Sequence, residues 1–412
     1  MRILDMRQNH ICIISFTPVL REPRVLRQAQ YFVEKGLQVV LVGIKTNDTN
    51  ESKFNVVGIE IPTEICSHSI WSKGIRLLKR WKLYAFNLFG LLLCERYNLH
   101  YKTLTLEEDL KEYNFSAIIC HDYITVPLGL KLKRQNNSTL LIVDCHEHFA
   151  SQNLTSSYVK NLVWNMKDGF YIRHFENQCL NSADFILTVS DGISQSLCKG
   201  YKLKSQPVTV RNITPYEEMR SGAVNKKNIQ ILYHGLLKPG RCLENLIHAA
   251  SYLNDSYIIN IRGHGSLEYI ETLRYLSNKL NLHHKVRILP AVDLKNLVRE
   301  ANKFDIGYFV WDDFSIQKKY VLPNKFFEYI MAGLAICVSD LPEMAKIVKA
   351  YDMGVLVSKN DPRIIAKALN SLTFDKIEYY KQQSLKAAKE LNWEVESKKL
   401  DFIVNALKEN SL

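Results

Sequence analysis

A chain of 412 residues exceeds one ordinary core, so two α/β domains are expected, and 47% hydrophobic with 10% aromatic residues suffices for both. A formal charge of +12 attracts polyanions such as nucleic acid, an anionic membrane surface or a diphosphate substrate. No helix-turn-helix, RNA-recognition or zinc-finger pattern occurs, so no nucleic-acid partner is expected.

The nine cysteines are scattered and form no CxxC pair, which argues against a zinc knot or a disulfide framework and fits a reduced, cytoplasmic setting. Met1–Asn9 is charged and runs straight into an apolar strand, unlike a signal peptide. The longest apolar run, Leu83–Cys94, falls short of the ~18 residues a membrane span needs.

Short apolar runs alternate with amphipathic stretches, the rhythm of βαβ units and parallel sheets. In the first half, strands are expected at Ile11–Phe16, Val39–Val42, Ala117–Cys120, Leu140–Val143 and Phe185–Val189. Helices are expected over Arg24–Lys35, Val126–Arg134 and a longer stretch from about Leu162 to Cys179. Pro215–Lys227 is polar and strand-free and reads as a linker.

The second half repeats the rhythm. Strands are expected at Gln230–Tyr233, Tyr257–Arg262, Val286–Leu289, Ile306–Val310, Ala335–Val338 and Gly354–Val357. Helices fit Leu243–Tyr252, Leu267–Leu280, Leu294–Asn302, Lys325–Met331 and Pro362–Leu372. Two such parallel-sheet domains place a ligand cleft at the carboxyl ends of their strands.

Within the second half, Tyr233-His234-Gly235-Leu236-Leu237-Lys238-Pro239-Gly240-Arg241 joins a strand to a helix. Its glycines permit a tight backbone path, and Arg241 stands where a guanidinium can clamp a diphosphate, although a plain turn with a solvated arginine fits the same residues. Pro323-Asn324-Lys325-Phe326-Phe327-Glu328 opens another helix. Lys325 and Glu328, three apart, share a face; one reading gives phosphate to Lys325 and ribose hydroxyls to Glu328, the other is a surface ion pair. Gly263-His264-Gly265 follows the strand Tyr257–Arg262 without completing a dinucleotide fingerprint, so NAD binding is not expected.

In the first half, Cys120-His121-Asp122-Tyr123 and Asp144-Cys145-His146-Glu147-His148 follow two predicted strands. A metal site is one reading of these histidines and acids. The His146-x-His148 spacing sends the two rings opposite ways on an extended backbone, and no ligand pattern matches, so no metal is expected. A satisfied polar cap at a strand end is open for each histidine. Between Trp71 and Arg96, Lys73, Arg76, Lys79, Arg80 and Lys82 alternate with Ile75, Leu77, Leu78 and Trp81, a pattern suited either to an anionic bilayer interface or to a packed helix with solvated charges.

The run PNKFFEYIMAGLAICVSDLPEMAKIV resembles the donor-site signature of family 4 glycosyltransferases, and YHGLLKPGRCLENLI resembles the segment in which that family grips the donor diphosphate. The resemblance implies the GT-B fold, two Rossmann-like domains with a donor/acceptor cleft, here residues 1–214 on the acceptor side and 215–392 on the donor side. The closing helix, about 393–412, would return to the first domain, as in the family's W-E helix. It implies a retaining transferase that moves a sugar from a nucleotide sugar to a saccharide or lipid-linked saccharide in cell-surface polysaccharide synthesis, needing no metal, as the missing D-x-D motif agrees.

By the same resemblance Gly235, Arg241, Gly263, Asn324, Lys325 and Glu328 would hold the donor. Asp144-Cys145-His146-Glu147 resembles the family's D-x-H-E segment, which makes His146 and Glu147 the catalytic candidates. Arg24, His121 and Asp122 would lie on the acceptor side; Glu22-Pro23-Arg24-Val25 is compatible with a D-x-R-V form of the family's first loop, and a purely structural helix start fits Arg24 as well. The family's second glutamate, eight residues before Glu328, is Tyr320 here, and the proline expected after A-x-G-x is Ala335. Two rivals remain: a sugar-nucleotide epimerase of the same fold, and a membrane-associated sugar-binding protein without turnover.

Overall fold

The computed structural model describes residues 10–45, 54–59, 106, 108–152, 154–155, 157–165 and 169–409. The basic apolar stretch Trp71–Arg96, with Cys66 and Cys94, lies outside them. The chain forms two compact units. The first comprises Met1–Val189, Ile193–Val210 and Lys399–Leu412; the second comprises Ser190–Gly192 and Arg211–Lys398.

The first unit is built on seven parallel strands: β1 (His10–Pro18), β2 (Gln38–Ile44), β3 (Asn55–Ile59), β4 (Phe115–His121), β5 (Leu140–Cys145), β6 (Phe185–Thr188) and β7 (Val208–Thr209). Their order is β3-β2-β1-β4-β5-β6-β7. Strands β1, β2, β4 and β5 carry unbroken apolar runs because both faces are covered by helices: Ile11–Ile14, Ala117–Cys120 and Leu141–Val143 are wholly buried. The covering helices are α1 (Pro23–Glu34), α2 (Val126–Lys133), α4 (Phe170–Asn181) and α5 (Asp191–Tyr201); a short helix without a buried residue, α3 (Tyr158–Trp164), precedes α4. The single helix expected from Leu162 to Cys179 is two, α3 and α4. Its start moves back to Tyr158 because Ser157 accepts a hydrogen bond from Lys160 N, an N-cap five residues ahead of Leu162.

The second unit has six parallel strands: β8 (Ile229–His234), β9 (Tyr257–Arg262), β10 (Val286–Leu289), β11 (Ile306–Phe309), β12 (Ala335–Ser339) and β13 (Gly354–Val357), ordered β10-β9-β8-β11-β12-β13. Its longer helices are α6 (Leu243–Ala249), α7 (Leu267–Lys279), α8 (Asn324–Met331), α9 (Pro342–Tyr351), α10 (Pro362–Asn370) and α11 (Phe374–Ala388). The last helix, α12 (Asp401–Glu409), belongs to the first unit, where Asp401 Oδ1 accepts from Tyr31 Oη and Lys35 Nζ (2.6 Å each) and the Phe402 ring meets Phe185 edge-on. Trp393–Lys398 group with the second unit, and Trp393 N donates to Thr214 O (3.0 Å).

Both sheets share one plan. Strand order reverses between β1 and β4 in the first and between β8 and β11 in the second. Loops leaving the carboxyl ends at such a reversal diverge to opposite faces and leave a crevice, which is where open α/β sheets bind ligands.

Candidate active site

In the second unit the reversal brings β8, β11 and the start of α8 together. Beyond β8 the chain turns through Gly235 at φ +133°, and beyond β9 through Gly263 at φ +156°. A Cβ on Gly263 would come within 1.7 Å of Gly235 O, and one on Gly235 within 2.8 Å of Lys325 Nζ. These glycines are required by close approach: they let two strand ends and a lysine share one spot.

Lys325 and Glu328 do not form the i,i+3 ion pair that their spacing allows. Glu328 Oε2 lies 2.7 Å from Nε2 of the buried His234. His234 Nδ1 is buried without a partner, so the Nε2–H tautomer that donates to the carboxylate accounts for the contact. The His234 backbone N–H donates to Tyr329 Oη (3.0 Å), and the two rings stack at a tilt, centroids 4.7 Å apart. Glu328 thus has a fixed orientation with part of its surface open.

Lys325 Nζ lies over the Tyr233 ring (4.1 Å) and the Phe309 ring (5.0 Å), and Arg241 stacks on Trp311 at 4.9 Å. Among the described residues, neither cation has a carboxylate within ion-pair distance, and Arg241 Nε is buried without a partner. Burial first, then the Arg241 charge, pushes the Lys325 ammonium down to about 7, with Glu328 pulling the other way. Two unpaired cations backed by aromatic faces make a seat for an anion. The exposed Asn324 stands at the start of α8; Pro323 supplies no side-chain cap, and although Phe326 N donates to Pro323 O (2.9 Å), the Asn324 and Lys325 N–H groups precede the first helical bond.

A Cβ on Gly192 would meet the Tyr320 ring at 2.0 Å, so that ring packs closely against the glycine, and Ser190 Oγ donates to Tyr320 O (2.8 Å). Sequence reading passed over His234, Tyr233 and Trp311; an aromatic or imidazole at the last positions of β8 and just beyond β11 is the signal that marks them.

In the first unit the second cluster forms around Asp144, which sequence reading left out of the site. Asp144 at the end of β5 is in register with His121 at the end of β4. Arg24 and Gln28, one turn apart on α1, both reach it: Arg24 Nε and Nη2 donate to its two oxygens (2.8 Å each) and Gln28 Nε2 donates to Oδ2 (2.5 Å). Arg24 Nη1 donates to Val210 O (2.8 Å). Arg24 is completely buried, and its guanidinium is engaged in fixing α1 to β5. Burial opposes ionisation of Asp144, yet Arg24, His146 and His121 together hold its carboxyl well below the ordinary range.

Above this anchor His121 Nδ1 and His146 Nε2 are 2.7 Å apart, one donating to the other. Burial pushes the His121 imidazole down to about 4, Asp144 opposing and Arg24 assisting. His146 is lowered as well, by burial first and then by His121 and Arg24 against Asp144. Both rings are therefore neutral near pH 7. Asp122 Oδ1 accepts from His146 N (2.9 Å) and Oδ2 lies 3.9 Å from its Nδ1. Burial raises the Asp122 carboxyl well above the ordinary range, moderated by that N–H. Glu147 follows at the partly exposed edge.

His121, Asp144 and His146 offer ligand atoms within 4.8 Å of one another. The fit to a metal is poor: two nitrogens on a tetrahedral zinc stand roughly 3.3 Å apart, given ~2.0–2.1 Å bonds. Here they are in hydrogen-bond contact, and the Asp144 oxygens are already occupied.

Residues 216–390 match the family model described as glycosyl transferases group 1, and residues 22–212 match glycosyltransferase family 4. No curated protein matches the sequence. Among solved structures, sucrose-phosphate synthase from Thermosynechococcus elongatus gives a TM-score of 0.75 at 14% identity over 98% of this chain and 100% of that one. HepE from Anabaena, in complex with UDP and glucose, gives 0.68 at 11% identity over 98% and 100%. WaaG, a glycosyltransferase involved in lipopolysaccharide biosynthesis, gives 0.60 at 11% over 95% and 99%. The two family matches adjoin and take in most of both units, and the neighbours share their architecture: the chain belongs to the group 1, family 4 glycosyltransferases and has the GT-B fold.

Proposed function

We propose that the chain transfers a sugar, with retention and without a metal, from a nucleoside-diphosphate sugar to a saccharide or lipid-linked saccharide of a cell-surface polysaccharide. The observation that carries this reading is the pair of unpartnered cations, Arg241 and Lys325, on aromatic faces beside Gly235 and Gly263. Bond breaking at the anomeric carbon moves negative charge onto the departing diphosphate, and fixed cations stabilise that charge as it develops. Glu328, held by His234, accepts from the ribose hydroxyls; Asn324 and the open amides of α8 meet phosphate oxygens. His146 contacts the transferred sugar as a neutral imidazole, and Glu147 orients the acceptor. HepE binds UDP, which makes UDP the first nucleotide to try; the role of WaaG in lipopolysaccharide synthesis supports a surface glycan.

No helix among the described residues is long and apolar enough to cross a membrane. A cytoplasmic enzyme touching the inner membrane face suits a lipid-borne acceptor.

The test is a thermal-shift titration with UDP, GDP and ADP, since a ligand that binds only the folded state raises stability by mass action. One diphosphate should raise the midpoint of the wild type and fail to do so for Arg241→Ala and Glu328→Ala. Equal shifts in wild type and both variants would sink the donor assignment.

A further inference from the structure

Shortly beyond His146 and Glu147 the chain makes a single helical turn, Phe149–Gln152. So few residues do not hold a helix by propensity. Its first two amides converge on one side chain from α4: Glu176 accepts from Phe149 N through Oε1 (3.3 Å) and from Ala150 N through Oε2 (3.2 Å). A third donor comes from the end of α5, where Tyr201 Oη donates to Oε2 (2.5 Å). Glu176 is 1% exposed, and among the described residues no ion pair reaches it. A buried carboxylate without a counter-ion depends on its hydrogen bonds, and the two amides depend equally on it, because a helix start has no acceptor of its own for them. The residue before the turn is tied to the same group: the His148 ring stacks on that of Tyr201, centroids 6.3 Å apart.

A proton on Glu176 loosens this hold. Three donors face two oxygens, so a proton on either one meets an N–H or O–H already aimed there, and at least one bond must break or turn. Burial raises the Glu176 carboxyl to about 7, while the Tyr201, Ala150 and Phe149 bonds and the Arg173 charge pull it down. Bonds that lower the value are, by reciprocity, stronger to the charged form. The turn is therefore held firmly above about pH 7 and loosely below it. Around this carboxylate stand Arg173 on its own helix, Tyr201 on α5, Cys145 on β5 with Cys179 beside it, and Asp122 beyond β4. Burial keeps Tyr201 and Cys145 protonated and pushes His148 down to about 4, so none of these three titrates near pH 7. Asp122, raised by burial as well, is the group whose titration has to be told apart from that of Glu176.

We propose that Glu176 is a positioning residue for the acceptor-side segment His146–Ala150: as a carboxylate it holds the segment in its working position, and on taking up a proton it lets go. The proposal rests on the reading of His146 and Glu147 as the groups that meet sugar and acceptor. It makes transfer sensitive to protons while the donor seat plays no part.

The test follows the full chain between pH 6 and 8.5 in two ways. One is amide hydrogen exchange on peptides covering residues 146–152, corrected for intrinsic rates; the other is nucleotide release from UDP-glucose and GDP-mannose. In the wild type, protection should rise about tenfold through pH 7, and kcat should fall by up to about tenfold per pH unit below it. Glu176→Gln, neutral at every pH, should be flat in both, at the wild type's low-pH level. Tyr201→Phe removes a bond that lowers the Glu176 value, so its profiles should keep their shape and move to higher pH; a merely structural loss changes the levels and leaves the midpoint in place. UDP affinity, which belongs to the second unit, should be unchanged in both variants. If Glu176→Gln does not fold, the wild-type profile and the Tyr201→Phe midpoint decide.

A wild-type exchange profile without a step near pH 7 overturns the proposal. So does a step that survives in Glu176→Gln, which assigns it to Asp122, and so does a Tyr201→Phe midpoint that stays put. A step in exchange with no acid limb in turnover confines Glu176 to the fold and overturns its part in transfer. A wild type that releases no nucleotide counts against the transferase reading, and the exchange step with its midpoint then decides this proposal alone.

Discussion

Lys325 offers a test in which the sign and the size of the effect both follow from its surroundings. In the empty site burial and the neighbouring Arg241 push its ammonium down to about 7 from an ordinary 10.5. A bound diphosphate adds negative charge beside it, which restores the proton and raises the value again. Above pH 7 binding must therefore take up a proton, and affinity falls as pH rises. The slope approaches tenfold per pH unit until the value in the complex is reached, so about a hundredfold between pH 7 and 9 is the ceiling. The terminal phosphate of UDP, with its second ionisation near pH 6, is already charged in this window and does not mask the effect. Calorimetric titration with UDP at pH 7, 8 and 9, in buffers of different ionisation enthalpy, reads both the affinity and the protons taken up. Uptake should approach one proton per UDP at pH 8. Lys325→Arg, whose guanidinium stays charged throughout, should bind with no pH slope above 7. An affinity that is flat for the wild type, or a slope that survives in Lys325→Arg, refutes the assignment of the lysine to the diphosphate.

Three further outcomes test other parts of the site. Gly263→Ala brings a Cβ to 1.7 Å from Gly235 O, a contact that only displacement of the two strand ends can relieve; UDP affinity should fall more than about tenfold, the 1.4 kcal/mol of a modest steric shift, while circular dichroism keeps the wild-type spectrum. Asp144→Asn leaves the Arg24 guanidinium buried without its counter-charge and should cost about 3–5 kcal/mol in urea unfolding. Because the folded-state carboxyl lies below its unfolded value of 3.8, the stabilisation from Asp144 is present above about pH 4 and is lost as pH falls further, so the variant and wild type should converge in acid. His146→Ala should lower kcat with UDP affinity unchanged, and His146→Gln, which still presents a hydrogen-bonding group, should recover part of it; equal loss of UDP binding in both would place the histidine in the donor seat instead.

The central strands were legible because each is buried on both faces and reads as a continuous apolar run, as in Ile11–Ile14 and Leu141–Val143. The strands β3 and β7 were not, since an edge strand such as Asn55–Ile59 or the two-residue Val208–Thr209 carries no such run. Residue types at strand ends pointed to both clusters, but partners contributed by distant segments were hidden. Glu328 looks locally like the mate of Lys325; its actual partner, His234, comes from β8, 94 residues earlier. Arg24 looks like a cation at a helix start, and only the fold shows that Asp144, which also accepts from Gln28, draws it inward.

Asp122 is the sharpest case. It has φ 63° and ψ 155°, a region that belongs almost wholly to glycine and costs another residue about 1–3 kcal/mol. Nothing in Cys-His-Asp-Tyr announces that conformation. It is held from three sides: Asp122 N donates to Asp144 O (2.9 Å), Thr125 Oγ1 donates to Asp122 O (2.9 Å), and Asp122 Oδ1 accepts from His146 N (2.9 Å). A glycine would relax the backbone but leave the His146 amide without its acceptor. The strained turn thus links the chain beyond β4 to the one beyond β5 at the point where His121 and His146 meet. The imidazole pair keeps its orientation because the backbone beneath it has no cheaper way to satisfy its own hydrogen bonds.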